Sequence, residues 1–261
     1  MLRTIKIVPM GILVATVLTV ATFAYANHAW GNYHWARTTN PFTLKVGNNL
    51  SVAWNPYLIT TVSDWSVSNV LDVVTVPSYK GKNCRPTTGR DEVCNGSYGK
   101  NGWLGIASIW VNGDHVTQGT VRVNDSYFNT STYNTPAWKN LVMCQEVAHT
   151  LGLDHQDENF SNPNLNTCMD YTSSPESNQH PNQHDYDMLE TIYAHLDSVT
   201  TLSPMIVSGA RNFDPENARE WGRELRKTRD GRASLHMRDY GNGEKVFTFV
   251  IWADETATDH K

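Results

Sequence analysis

The stretch Cys144-Gln145-Glu146-Val147-Ala148-His149-Thr150-Leu151-Gly152-Leu153-Asp154-His155 decides how this chain of 261 residues is read. On a helix, residues four apart share a face, so Gln145 and His149 point the same way and Glu146 stands beside them. Gly152 ends such a helix, because the left-handed conformation that follows a last helical turn costs least without a Cβ. The turn it allows leads the chain to His155. An acid and two imidazoles along one buried edge need partners, and a divalent metal ion is a partner that suits them.

Outward from this stretch, Asn134 to Pro136 supplies a helix start, with Trp138, Leu141, Val142, Ala148 and Leu151 as its apolar stripe. Upstream, Asn55-Pro56 opens a first helix carrying Leu58, Val62 and Trp65, and Val70 to Val76 reads as a buried strand. Lys80 to Gly102 reads as a polar loop. Trp103–Val111 and His115–Val123 read as two strands around the Asn112-Gly113-Asp114 turn. Downstream, a helix is expected over about Gln183–Leu196, a short charged helix over Glu216–Lys227, and a hairpin over 232–252 around Gly241-Asn242-Gly243.

With Gln145 in place of the first histidine, residues 145–155 resemble the H-E-x-x-H-x-x-G-x-x-H signature of the metzincin proteases, closest in layout to secreted matrixin-like enzymes. Residues 144–171 carry nearly all of the resemblance. It implies an α+β, zincin-like fold: a mixed twisted sheet, the signature helix beneath it, and a cleft along an edge strand where extended peptides bind. It also implies zinc held by Gln145, His149 and His155, with Glu146 as the general base that activates a water. Met169, in Thr167-Cys168-Met169-Asp170-Tyr171, fits the family's Met-turn beneath the metal. Tyr171, two places later, matches the phenol that ligates the metal or stabilises the oxyanion in the astacin and serralysin branches.

Gln145 opens alternatives. An amide oxygen is a weaker donor to zinc than an imidazole nitrogen, so the chain reads as a zinc endopeptidase, as an inert protease-like binding protein, or as a hydrolase using a harder metal. His180 and His184 are the nearest spare imidazoles, and they also read as exposed side chains at a helix entrance. His28, Trp30, His34 and Trp35 read as a metal or ligand cluster or, the favoured reading, as aromatic residues covering the core edge.

Residues 1–26 read as a secretory signal peptide. Arg3 and Lys6 precede an apolar run from Ile7 to Ala24, broken by Pro9 and Gly11, and Ala24-Tyr25-Ala26 is a small-x-small cleavage site. A retained anchor is the alternative. Secretion agrees with four cysteines read as two disulfides, Cys84–Cys94 and Cys144–Cys168, the pairing favoured among three. Five N-x-S/T sequons begin at Asn49, Asn95, Asn124, Asn129 and Asn159 and would mark surface loops in a glycosylating host.

The formal net charge is −5, and no basic patch stands out, so nucleic acid is not an expected partner. The expected partner is a protein or peptide substrate, met by a secreted monomer with no membrane attachment after cleavage. Residues 27–200 carry 9 basic and 16 acidic side chains, whereas 201–261 carry 10 and 10. That shift marks an expected boundary between a catalytic domain, 27–200, and a C-terminal appendage of helix and hairpin, 201–261.

Overall fold

The computed structural model describes residues 27–79, 84–203 and 213–254, so the expected signal peptide, 1–26, lies outside the described residues. Its first strands are β1 (His34–Trp35), β2 (Phe42–Asn49), β3 (Leu71–Pro77) and β4 (Asp91–Gly96), with helix α1 (Asn55–Trp65) between β2 and β3. They are followed by β5 (Trp103–Asn112), β6 (His115–Asn124), and helices α2 (Asp125–Phe128), α3 (Pro136–Thr150) and α4 (Gln183–Ile192). Strands β7 (Arg223–Lys227), β8 (Ala233–Gly241) and β9 (Glu244–Trp252) complete the order.

One mixed sheet holds these strands in the order β3-β2-β4-β6-β5-β9-β8-β7, with β1 pairing beside β6. Strands β3, β2, β4 and β6 run parallel to one another, and β5, β9, β8 and β7 are each antiparallel to their neighbours. Helix α1 makes the crossover that a parallel β2–β3 pair requires. Alternation of Phe42, Leu44 and Val46 toward the core explains β2, a strand absent from the sequence expectations. The expected loop 80–102 contains β4, whose Asp91 to Cys94 are buried between β2 and β6.

Helix α3 packs against β5, β6 and α1. Thr135 caps it by accepting from the Trp138 N–H at 3.2 Å, and Pro136 sits in its first turn. A helix ends with carbonyls that lack partners, and here tertiary donors supply them. Trp30 Nε1 donates to the His149 carbonyl at 2.9 Å, Trp35 Nε1 to that of Thr150 at 2.9 Å, and Tyr193 Oη to that of Leu151 at 2.9 Å. Gly152 then takes φ +99°, and a Cβ there would lie 2.7 Å from the Tyr33 carbonyl oxygen. The N-terminal tryptophans thus cover a core edge and also hold the end of α3.

Three further expectations are corrected. Strand β3 is the outermost strand of its half of the sheet, so Asp72, Val74 and Thr75 face solvent and the segment is only half buried. The charged helix over Glu216–Lys227 is a short 3-10 turn, Ala218–Glu220, followed by strand β7. Gly222 stands between them with φ +84°, and a Cβ there would meet the Met237 carbonyl oxygen at 2.4 Å, so helix cannot continue. Sequons Asn49 and Asn124 are buried, and their amides are spent on Glu92 (2.6 Å) and on the Gly99, Asn101 and Trp103 oxygens (2.9, 3.0 and 3.1 Å), leaving no room for a glycan.

Strand β5 is not an edge: β9 pairs along it from Trp103↔Trp252 to Asn112↔Glu244. The C-terminal hairpin therefore continues the main sheet, whose outer strands are β3 and β7. No helix among the described residues is long and apolar enough to cross a membrane.

Candidate metal centre

The last turns of α3 present Gln145, Glu146 and His149, all at most 1% exposed, and the turn at Gly152 brings in His155 at 8%. Gln145 Nε2 lies 2.8 Å from His155 Nε2, and the two imidazole centroids are 4.5 Å apart. The amide thus faces the imidazole that the turn at Gly152 brings in.

His149 Nδ1 donates to the Leu153 carbonyl at 2.8 Å, which leaves a lone pair on Nε2. His155 Nε2 accepts from the Gln145 amide, so it too carries a lone pair, and its Nδ1 lies 3.3 Å from Asp154 Oδ1. This is the tautomer a metal-ligating histidine needs. His149 Nε2, Gln145 Oε1 and both Glu146 carboxylate oxygens are buried without a hydrogen-bond partner. Buried polar atoms in folded proteins nearly always have partners, so this concentration of orphaned acceptors fits a cation among them.

Burial drives the electrostatics. It holds the His149 imidazole well below its ordinary range, with His155 adding to the effect, so His149 stays neutral. Burial also pushes the Glu146 carboxyl well above the usual carboxylate range. Space for Glu146 depends on Gly105 of β5, where a Cβ would lie 2.6 Å from Val142 Cγ1 and 3.0 Å from Glu146 Oε1. At Asp154 burial opposes ionisation, but the bonds to His155 and Arg226 outweigh it and keep the carboxyl far below its normal range.

Below the helix, Cys144 and Cys168 form a disulfide, and Cys84 and Cys94 form the other. Met169 is fully buried in the main core, and its carbonyl accepts from the Gln156 N–H at 2.6 Å. Thr167 Oγ1 lies 2.5 Å from Asp185 Oδ2, tying this turn to α4. Tyr171 is 4% exposed and leans on the His155 ring, centroids 3.9 Å apart, with Phe160 stacked behind it at 4.6 Å. Burial pushes its phenol well above the ordinary value.

The spare histidines find partners elsewhere. His180 Nδ1 is 2.7 Å from Asp64 Oδ2, and His184 stacks on His28 at 4.6 Å.

Two residues that close the site were missed in the sequence. Phe249 of β9 stacks on His149 at 4.0 Å, while Arg226 of β7 reaches Asp154 Oδ1 at 2.6 Å and Glu158 Oε1 at 2.8 Å. Phe249 lies in the expected hairpin and Arg226 in a segment read as helix, and nothing local says which site either one covers. The space left between His155, Tyr171, Arg226, Leu235 and Phe249 is about 10 Å³, room for about one water molecule.

No family model and no curated protein matches the chain. Solved structures that match include myroilysin, at 14% identity and a TM-score of 0.37, covering 60% of this chain and 82% of that one. High choriolytic enzyme 1, a hatching enzyme zinc-protease from Oryzias latipes (medaka fish), matches at 9% identity and a TM-score of 0.34, covering 62% of this chain and 94% of that one. Likenesses at these TM-scores carry no functional conclusion, which rests on the geometry of the site alone.

Proposed function

We propose that the chain is a secreted, zinc-dependent endopeptidase of metzincin type, with Gln145, His149 and His155 as the protein ligands and Glu146 as the general base. The observation that carries this reading is that His149 Nε2, Gln145 Oε1 and both Glu146 oxygens are buried together without hydrogen-bond partners, beside a His155 Nε2 that faces the Gln145 amide. Half a turn of the Gln145 amide exchanges its nitrogen for Oε1 at the same place, converting a donor toward His155 into a ligand. When bound, zinc acidifies a coordinated water and polarises the scissile carbonyl.

The remaining work belongs to the protein's own groups. Glu146 takes a proton from the attacking water and returns it to the leaving amine, a role suited to a carboxyl whose pKa burial has raised. Asp154 and the Leu153 carbonyl orient the two imidazoles. Met169 in a Met-turn and the Cys144–Cys168 bridge brace the floor, and Tyr171 leans against His155, where its hydroxyl serves the oxyanion. The substrate is an extended protein or peptide, and the enzyme acts as a monomer without nucleic acid or membrane.

Because β9 occupies the flank of β5, the site is closed in this arrangement, and substrate entry requires β7–β9 to move aside. In a second reading the site is inert and the fold serves recognition; the Gln145–His155 hydrogen bond and the Phe249 cover favour it. Hydrolysis of an unfolded protein substrate by the mature chain with zinc separates the two. The enzyme reading expects cleavage that rises in Phe249→Ala and vanishes with Glu146→Gln in either background. Inactivity of both Phe249→Ala and Gln145→His would leave the inert reading standing.

A further inference from the structure

A second cluster of ligand atoms lies at the opposite end of α4 from the capped N-terminus. His34 Nε2 is 3.3 Å from Asp197 Oδ1 and 3.2 Å from His195 Nε2, and His195 Nε2 is 3.6 Å from the same oxygen. These separations match the edges, about 3.3 Å, of a tetrahedron whose metal–ligand bonds are about 2.0 Å. His34, His195 and Asp197 form one of the two groups of three such side chains, among the described residues, with all ligand atoms within 4.8 Å of one another. The other, Asp154 with His155 and Glu158, has both carboxylates paired with Arg226.

The hydrogen bonds around the cluster point its lone pairs inward. His34 is buried, and its Nδ1 donates to the Asn32 carbonyl at 2.7 Å, which leaves the lone pair on Nε2. Asp197 Oδ2 accepts from the Arg37 backbone N–H at 3.1 Å and from Arg37 Nη1 at 2.8 Å, so Oδ1 alone turns toward the imidazoles. His34 Nε2 and Asp197 Oδ1 face each other at 3.3 Å, close enough to share one cation. His115, paired with His34 across β1 and β6, reaches Asp197 Oδ1 from outside the group at 3.3 Å. An open cavity of about 350 Å³ beside His34 and His195 gives water access to a fourth position.

We propose that His34, His195 and Asp197 bind a second divalent transition-metal ion, for which zinc is the species these donors suit. Two imidazole nitrogens and one monodentate carboxylate are borderline ligands of the kind zinc prefers over calcium or magnesium. The site clips the N-terminal strand to the segment after α4. That strand also carries Trp35, whose indole holds the end of α3, so this ion stabilises the element that presents the candidate catalytic ligands.

Zinc stoichiometry of the metal-stripped mature chain, with the zinc-induced rise in Tm, tests the site independently of the proposed enzyme. The expected result is two equivalents for the wild type, one for His195→Ala, and one for the His149→Ala/His155→Ala double variant. His195 is 53% exposed, so its replacement removes a ligand without emptying the core. His34→Gln, which keeps a polar group in place, weakens the same equivalent at least tenfold. If the catalytic reading fails, the wild type binds one equivalent and His195→Ala binds none, which still supports this site. Zinc stoichiometry and Tm rise unchanged in His195→Ala, or no zinc bound by the wild type, would overturn it.

Discussion

Phe249 lies face to face with His149, their ring centroids 4.0 Å apart and their planes 12° from parallel. The contact joins a C-terminal strand to the α3 face that carries the candidate ligands. It follows from the register Ala107↔Phe249, which sets that side chain on the site side of β5. The protein's own chain thus covers both the ligand and the strand beside it.

Phe249→Ala removes a ring that is 2% exposed and leaves a cavity above His149. Large-to-small changes of this kind cost about 3–5 kcal/mol. Chemical denaturation is expected to show a loss of that size, accompanied by faster access of a metal chelator to the site. Unchanged chelation kinetics would mean that the ring does not gate the centre.

Gln145→His replaces a neutral amide with a stronger nitrogen donor beside His155 Nε2. Zinc affinity, measured by competition with a chromophoric chelator, should rise at least tenfold, the scale on which altered ligand shells act. An affinity that does not change would place residue 145 outside the coordination sphere.

Asp91 is fully buried under α3, with Oδ2 2.5 Å from Thr150 Oγ1 and Oδ1 unpartnered. Burial pushes its carboxyl up to about 7 from 3.8. The folded state therefore holds a proton that the unfolded chain releases, so the stability associated with Asp91 is full below about pH 4 and is lost as pH rises to about 7. Asp91→Asn should stabilise the protein at pH 8, by an amount on the order of 4 kcal/mol, and much less at pH 4. Equal effects of the substitution at both pH values would refute the assignment.

Trp35→Phe keeps most of the buried ring but removes the indole N–H that satisfies the Thr150 carbonyl. Leaving a buried acceptor without its donor costs about 1–3 kcal/mol. A thermal shift in that range is expected, with amide exchange faster in the last turn of α3 than in its first.

Local chemistry made much of α3 legible. Pro136 and Gly152 bound the helix because one lacks an N–H where none is needed and the other lacks a Cβ where none fits. The spacing of Gln145, His149 and His155 likewise needs only the helical repeat and one turn. Strand β4 stayed hidden because its burial comes from neighbours β2 and β6, distant in sequence, and not from an alternation of its own. The run Glu216–Lys227 looked helical because its charges recur at helical spacing, an argument that a glycine at positive φ overrides.

By itself, then, the sequence determined the signature helix, its stop, the β5–β6 hairpin and the identity of the side chains at the candidate centre, all set by interactions within about a dozen residues. Tertiary structure alone decided that β9 lies along β5, that Phe249 covers His149, and that His34 meets His195 and Asp197. These depend on contacts between segments a hundred or more residues apart. Register there is chosen by burial of whole faces, and no local pattern encodes which partner a strand will find.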